Sequence, residues 1–183
     1  MKVAITGHTS GLGKELFQMF PGAIGFSRST GYNIATHEGR ERILYDAFET
    51  DLFINNAYTP SNHFAQIELL WTVWNAWKGK DKTIVCIGSY AGSLVDRDRP
   101  GQDGKYAVQK AALDQACRRL VRPGLSPRVI NIKPGYLSTP NNNDKLVPKI
   151  DVKATAQFIA MLIQQRDLWV PEITLLPYDS TKA

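Results

Sequence analysis

Apolar residues in this chain fall into short runs, each closed by glycine, proline or a polar cluster. Lys2 to Thr6 is a β-rich run that ends in a glycine turn, and Lys14 to Phe20 sets Leu16, Phe17 and Phe20 on one side of a helix. Gly22 to Ser27 is a second short run, and Thr36 to Phe48 carries Ile43, Leu44, Ala47 and Phe48 at helical spacing. Further strands are predicted at Asp51 to Asn55, Thr83 to Ser89, Arg128 to Lys133 and Glu172 to Leu176, with helices at His63 to Trp77, Lys105 to Val121 and Val152 to Gln165. Strand and helix alternate throughout. Parallel neighbours need long, usually helical crossovers, so the alternation predicts an α/β fold with a doubly wound parallel sheet covered on both faces. No repeat, low-complexity tract or linker divides the chain, and residues 1–183 are expected to form a single domain.

The loop between the first strand and the first helix reads Thr6-Gly7-His8-Thr9-Ser10-Gly11-Leu12-Gly13. Glycines there permit a tight turn and let the backbone approach a pyrophosphate, and the amides that open the helix favour an anion. The plain alternative is an ordinary turn, but the strand before it and the helix after it are the context a dinucleotide fingerprint requires. At the end of the second run stands Phe26-Ser27-Arg28-Ser29, with no acid to accept from a ribose 2′-hydroxyl and an arginine able to hold a 2′-phosphate. NADP(H) is therefore expected over NAD(H), which stays possible. The competing reading makes Arg28 a surface residue at a strand end.

Tyr106-Ala107-Val108-Gln109-Lys110 lies within a predicted helix, and positions four apart share a helix face. The Tyr106 hydroxyl and the Lys110 ammonium can then address one small volume. A fixed cation lowers the pKa of a phenol and turns it into a usable acid or base at neutral pH.

These segments resemble the short-chain dehydrogenase/reductase family in its classical form, as an unusually short member. The likeness is carried by the Thr6 to Gly13 loop, Asn55-Asn56-Ala57, Ile87-Gly88-Ser89, Tyr106 to Lys110, and Pro134-Gly135-Tyr136-Leu137-Ser138-Thr139, in that order across roughly residues 2 to 176. The resemblance implies a Rossmann-like, three-layer fold and hydride transfer between a carbonyl or alcohol and a nicotinamide. It makes Tyr106 the acid/base, Lys110 its tuner and a ligand of the nicotinamide ribose, and Ser89 the hydroxyl that orients substrate. Gly7, Thr9, Ser10, Gly11, Leu12 and Gly13 would surround the pyrophosphate, and Asn55, Asn56 and Ala57 would lie along the adenine-ribose side, with Asn55 and Ala57 also steadying the central strand. Leu137 and Thr139, after Pro134 and Gly135, would contact the carboxamide. Asn33-Ile34 matches the place beside adenine where the family has an acid and an aliphatic residue.

The family also uses an asparagine in a proton relay through water to the lysine. Asn62 is the candidate here, with an N-cap as the equal alternative, while Asn75 is expected to face solvent. Tyr58 replaces the usual glycine after Asn-Asn-Ala, and so narrows the site or offers a stacking surface. The segment Leu94 to Gly104 is longer than typical and is expected to wall the substrate. After Thr139 the family's covering flap is reduced to a few polar residues and Val147-Pro148, so the pocket is expected to be open.

Composition narrows the field of functions. An apolar fraction of 43% and no apolar run of membrane-spanning length exclude a helical span, and a β-rich run that starts at Val3 leads to the expectation of a cytoplasmic protein. Cys86 and Cys117 lie in apolar segments and are expected to be reduced and buried; no metal is expected. The net charge of +5 is spread along the chain, so no nucleic acid is expected as partner. Trp71, Trp74 and Trp77 on one helix point to a homodimer or homotetramer, with ordinary core packing as the alternative. The leading reading is a reductase of a small-molecule carbonyl. A catalytically silent dinucleotide-binding sensor is the alternative, and nucleotide-sugar chemistry is disfavoured by the short C-terminal part.

Overall fold

A computed structural model describes residues 1–62, 64–94, 104–122, 124, 126–139, 148–165 and 167–178. Its elements run β1 (Val3–Thr6), α1 (Gly11–Met19), β2 (Ile24–Phe26), α2 (His37–Ala47), β3 (Leu52–Asn55), α3 (Ala65–Trp77), β4 (Thr83–Ile87), α4 (Gly104–Leu120), β5 (Arg128–Pro134), α5 (Val152–Gln164) and β6 (Glu172–Leu175). Two 3-10 turns, Arg28–Thr30 and Tyr90–Ser93, follow β2 and β4. The order matches the one read from the chain, with ends displaced by at most three residues.

The six strands form one sheet in the order β2-β1-β3-β4-β5-β6, and every neighbouring pair is parallel. Successive side chains point to opposite faces of a strand, and here both faces are covered. Ala4, Phe53, Ile84 and Val129 pack under α2, α3 and α4, while Ile5, Ile54, Val85 and Ile130 pack under α1 and α5. This explains why the strands read as continuous apolar runs and not as alternating ones.

On the first of these faces Trp77 is fully buried and meets Phe53 edge to face at 6.3 Å. The apolar surplus of α3 is thus partly core, because Trp77 packs inward while Trp71 and Trp74 remain half-buried. Cys86 and Cys117 are both buried and free. Among the described residues, no helix is long and apolar enough to cross a membrane.

Strand order reverses at β1, whose neighbours are β2 on one side and β3 on the other. In an open parallel sheet the crevice for a ligand lies at such a switch point, beyond the carboxyl ends of the strands.

Candidate active site

Loops at the carboxyl ends of the strands form two adjoining cavities, of 310 and 610 Å³. The larger lies over β1 and β2. Its floor is the glycine loop, where Gly7 has φ +72° and Gly11 has φ +52°, a region that residues with a Cβ rarely enter. A Cβ on Gly13 would lie 2.1 Å from the Gly7 carbonyl oxygen, so the third glycine seats α1 against the loop and does not itself line the cavity. Thr6 Oγ1 accepts from the amides of Asn56 and Ala57, at 3.0 Å each, and fastens the end of β3 to that of β1. Asn56 Nδ2 donates to Thr6 O at 3.0 Å.

α1 begins at Ser10, whose side chain makes no cap hydrogen bond, so no hydroxyl cap competes for the amides of the first helical turn. The opposite wall holds exposed Arg28 and Ser29, with Asn33 and buried Ile34 beyond. Asn33 Oδ1 accepts from the Ala35 amide at 3.0 Å. These residues fit a dinucleotide: a glycine turn at the uncapped start of a helix, an arginine at the second strand end, and an apolar residue beside the far pocket.

The smaller cavity is lined by Ser89, Tyr106 and Lys110 together; spacing along one helix led to that expectation for the last two, and the family resemblance for the serine. Leu12, Asn56 and Tyr58 line both cavities and join them. Pro134, Gly135, Leu137 and Thr139 form the wall contributed by β5, and Leu137 pairs with Ile150 in an isolated bridge. Ser89 caps the 3-10 turn through the Ala91 amide at 3.2 Å. Of the long segment expected to wall this cavity, Leu94 lines it; residues 95–103 lie outside the described residues, as do His63 and the polar stretch 140–147.

Electrostatics at the phenol differ from expectation. Burial raises the Tyr106 pKa above its ordinary value, the Ser89 hydrogen bond opposes that rise, and Tyr58 and Tyr136 add to it. Burial is the largest cause, and the lysine is not among the groups that oppose it. Lys110 Nζ donates to Gln66 Oε1 and to Ile87 O, both at 2.9 Å, and lies 5.6 Å from the Tyr106 ring centre. Burial brings Lys110 down from 10.5 to about 8, against weaker opposing contributions from Cys86, Asp114 and Cys117.

Two expected positions are corrected. Asn62 does not join the cluster: its Nδ2 donates to Ala35 O at 3.0 Å, and its Oδ1 accepts from the Phe64 amide at 3.0 Å, a turn ahead of α3 that caps none of its helical amides, since the N-cap position is Phe64. The residue that meets Lys110 from α3 is Gln66. Its signal was a polar side chain in the row Gln66, Leu70, Val73, Trp77 that packs on the sheet. Asn55 lines neither cavity; its side chain is buried and Nδ2 donates to Gln66 O at 2.8 Å, because alternation in β3 turns it beneath the sheet's edge. Tyr58 meets Tyr106 edge to face at 5.1 Å, which makes it part of the wall.

Across known proteins, no family model and no curated protein matches the sequence. Solved structures do match in three dimensions. A short-chain dehydrogenase/reductase from Vibrio parahaemolyticus superposes with a TM-score of 0.74 at 17% identity, over 98% of this chain and 100% of that one. The fold is that of the short-chain dehydrogenases/reductases. A 3-alpha-hydroxysteroid dehydrogenase from a Pseudomonas species, complexed with NADH, has a TM-score of 0.76 at 20% identity over 96% of this chain and 94% of that one. A short-chain dehydrogenase from Burkholderia cenocepacia, in complex with NADP, has a TM-score of 0.71 at 17% identity, over 95% and 87% of the two chains. Within the short-chain dehydrogenase/reductase fold, therefore, this chain keeps nearly the full length of its structural neighbours.

Proposed function

We propose that this protein is a member of the short-chain dehydrogenase/reductase family, an NADP(H)-linked oxidoreductase that reduces an uncharged carbonyl compound or oxidises the matching alcohol. The observation that carries the reading is the meeting of Ser89, Tyr106 and Lys110 in one cavity that opens into the glycine-loop cavity. The loop from Gly7 to Leu12 and the start of α1 would hold the pyrophosphate. Arg28 and Ser29 would hold a 2′-phosphate, with Asn33, Ile34 and Ala57 along the adenosine half. A nicotinamide bound there supplies the two-electron chemistry, and the protein's part is orientation and the proton.

Within that division of labour, Ser89 orients the substrate oxygen while the Tyr106 hydroxyl gives or takes its proton. Lys110, held by Gln66 Oε1 and Ile87 O, lines the same cavity. The cavity wall presents Tyr58, Tyr90, Tyr106 and Tyr136, with no carboxylate or guanidinium among its described residues, which suits a neutral substrate with an apolar body. We further propose self-association through the α3–α4 face.

Absorbance of the reduced nicotinamide, followed with NADPH and with NADH against a panel of neutral ketones and aldehydes, tests the assignment. NADPH-dependent turnover of at least one compound is expected. In Tyr106→Phe turnover should fall roughly 10²- to 10⁴-fold with cofactor affinity retained. No turnover across the panel, or a Phe variant as fast as the parent, defeats it.

A further inference from the structure

Gln66 is fully buried in the sheet-facing row of α3. A buried amide is tolerated when its hydrogen-bonding capacity is used. Here Nε2 donates to Asn55 O at 2.8 Å and to Ile87 O at 3.2 Å, while Oε1 accepts from Lys110 Nζ at 2.9 Å. One orientation alone satisfies these partners. Turned over, the amide would set its oxygen against two carbonyl oxygens and its N–H groups against an ammonium. The position of Oε1 is thus dictated by the ends of β3 and β4, and through it the position of the lysine.

An ammonium has three N–H donors. Gln66 Oε1 and Ile87 O each take one at 2.9 Å, which leaves one for the cavity that Lys110 lines. The ionisable groups facing it are Cys86 from β4, Asp114 and Cys117 from α4, and the rings of Tyr106 and Tyr58 at 5.6 and 5.9 Å. Both direct acceptors are neutral. A primary amide neither gains nor loses a proton near neutral pH, so Gln66 cannot pass one on as a water would.

We propose that Gln66 is the positioning residue of this site: it holds Lys110 by direct contact and closes the lysine's inner side to proton exchange, so that the ammonium trades its proton with groups in the cavity. This rests on the reading of the cavity as a Ser-Tyr-Lys site.

The test is a pH titration followed by NMR on isotopically labelled protein, which needs no turnover. In the parent protein, the Gln66 side-chain amide and the Lys110 ε-carbon should move together with one midpoint near 8. Gln66→Glu should raise the Lys110 midpoint by about one pH unit or more, because a carboxylate replaces a neutral acceptor, and Gln66→Leu should lower it. The lysine-dependent limb of the kcat profile should move in the same directions. A Gln66 amide that stays still while Lys110 titrates overturns the proposal, as does an unchanged Lys110 midpoint in either folded variant. If neither variant folds, the titration of the parent decides alone. Absence of turnover on every carbonyl would sink the catalytic reading and leave the amide–lysine contact standing.

Discussion

At Lys110 the helix and the core make opposing demands. Spacing along α4 carries the side chain to the same cavity as Tyr106, and full burial then disfavours its charge. The folded-state pKa, near 8, lies below the value of 10.5 for a free lysine. A cation depressed in this way weakens the fold wherever it is protonated: the cost is fully present below pH 8 and fades as pH climbs to 10.5. From that shift the cost is roughly 3 kcal/mol. Chemical denaturation should show parent stability gaining on Lys110→Met between pH 8 and 10.5; a difference that stays flat across the window refutes the assignment. At this scale Tyr106, Lys110 and the glycine loop were legible in the sequence, because each is set by a spacing of a few residues within or beside one element, whereas Ser89 was offered only by the family resemblance. Gln66 and Asn62 exchanged roles for a different reason. Both lie close to the start of α3, and only the packing of that helix on β3 and β4 decides which side chain reaches the lysine.

Among the elements, β5 carries a charge that its pattern concealed. Lys133 is buried in a run of apolar neighbours, and its Nζ donates to Glu172 of β6 at 2.8 Å and to Ser93 Oγ at 3.1 Å, with Asp114 of α4 at 3.7 Å. Burial raises the pKa of Asp114, opposed by the Asn131 hydrogen bond and by Lys133. For Glu172, burial pushes upward, but hydrogen bonds from Arg118 and Lys133 prevail and hold it below the ordinary carboxylate value. One cation therefore joins α4, β5, β6 and the turn that follows Ser89. Removing it would leave Asp114 buried with the Asn131 hydrogen bond but without the lysine's charge, at a cost of about 3 kcal/mol. Urea unfolding of Lys133→Ala should show that loss near neutral pH, and the gap should narrow as acid protonates Asp114, whose raised pKa makes it protonate early. An undiminished gap at low pH would place the cost elsewhere. The strand itself was evident from its apolar run; that a lysine inside it faces two acids depends on residues 39 positions on and 19 back, which no local pattern registers.

For the whole molecule, the parallel sheet sets the cavities. Reversal of strand order at β1 opens the crevice where the glycine loop and β3 meet, and the serine and tyrosine arrive beside it from β4 and α4. On the far side of the α3–α4 layer, half-buried Trp71 and Trp74 pack edge to face at 6.0 Å beside Leu120 and two arginines, Arg119 and Arg122. The self-association proposed for this face predicts a dimer or tetramer in sedimentation velocity. The double variant Trp71→Ser with Trp74→Ser should shift it to monomer while Trp77, in the core, keeps the fold intact. A parent that sediments as a monomer rules the association out.

What the chain determined by itself was the class of fold and which helical residues share a face. Apolar runs of strand length alternate with amphipathic helices, and a hydroxyl and an ammonium four residues apart on a helix share a face wherever that helix packs. Tertiary structure decided the charge states and the partners. Whether Lys110 answers to Tyr106 or to Gln66, whether Asn55 faces a cofactor or the core, and which acids surround Lys133 depend on distances between elements far apart in sequence. Those distances are set by the packing of helices on a twisted sheet, and the energy of a buried charge follows from them and not from its neighbours along the chain.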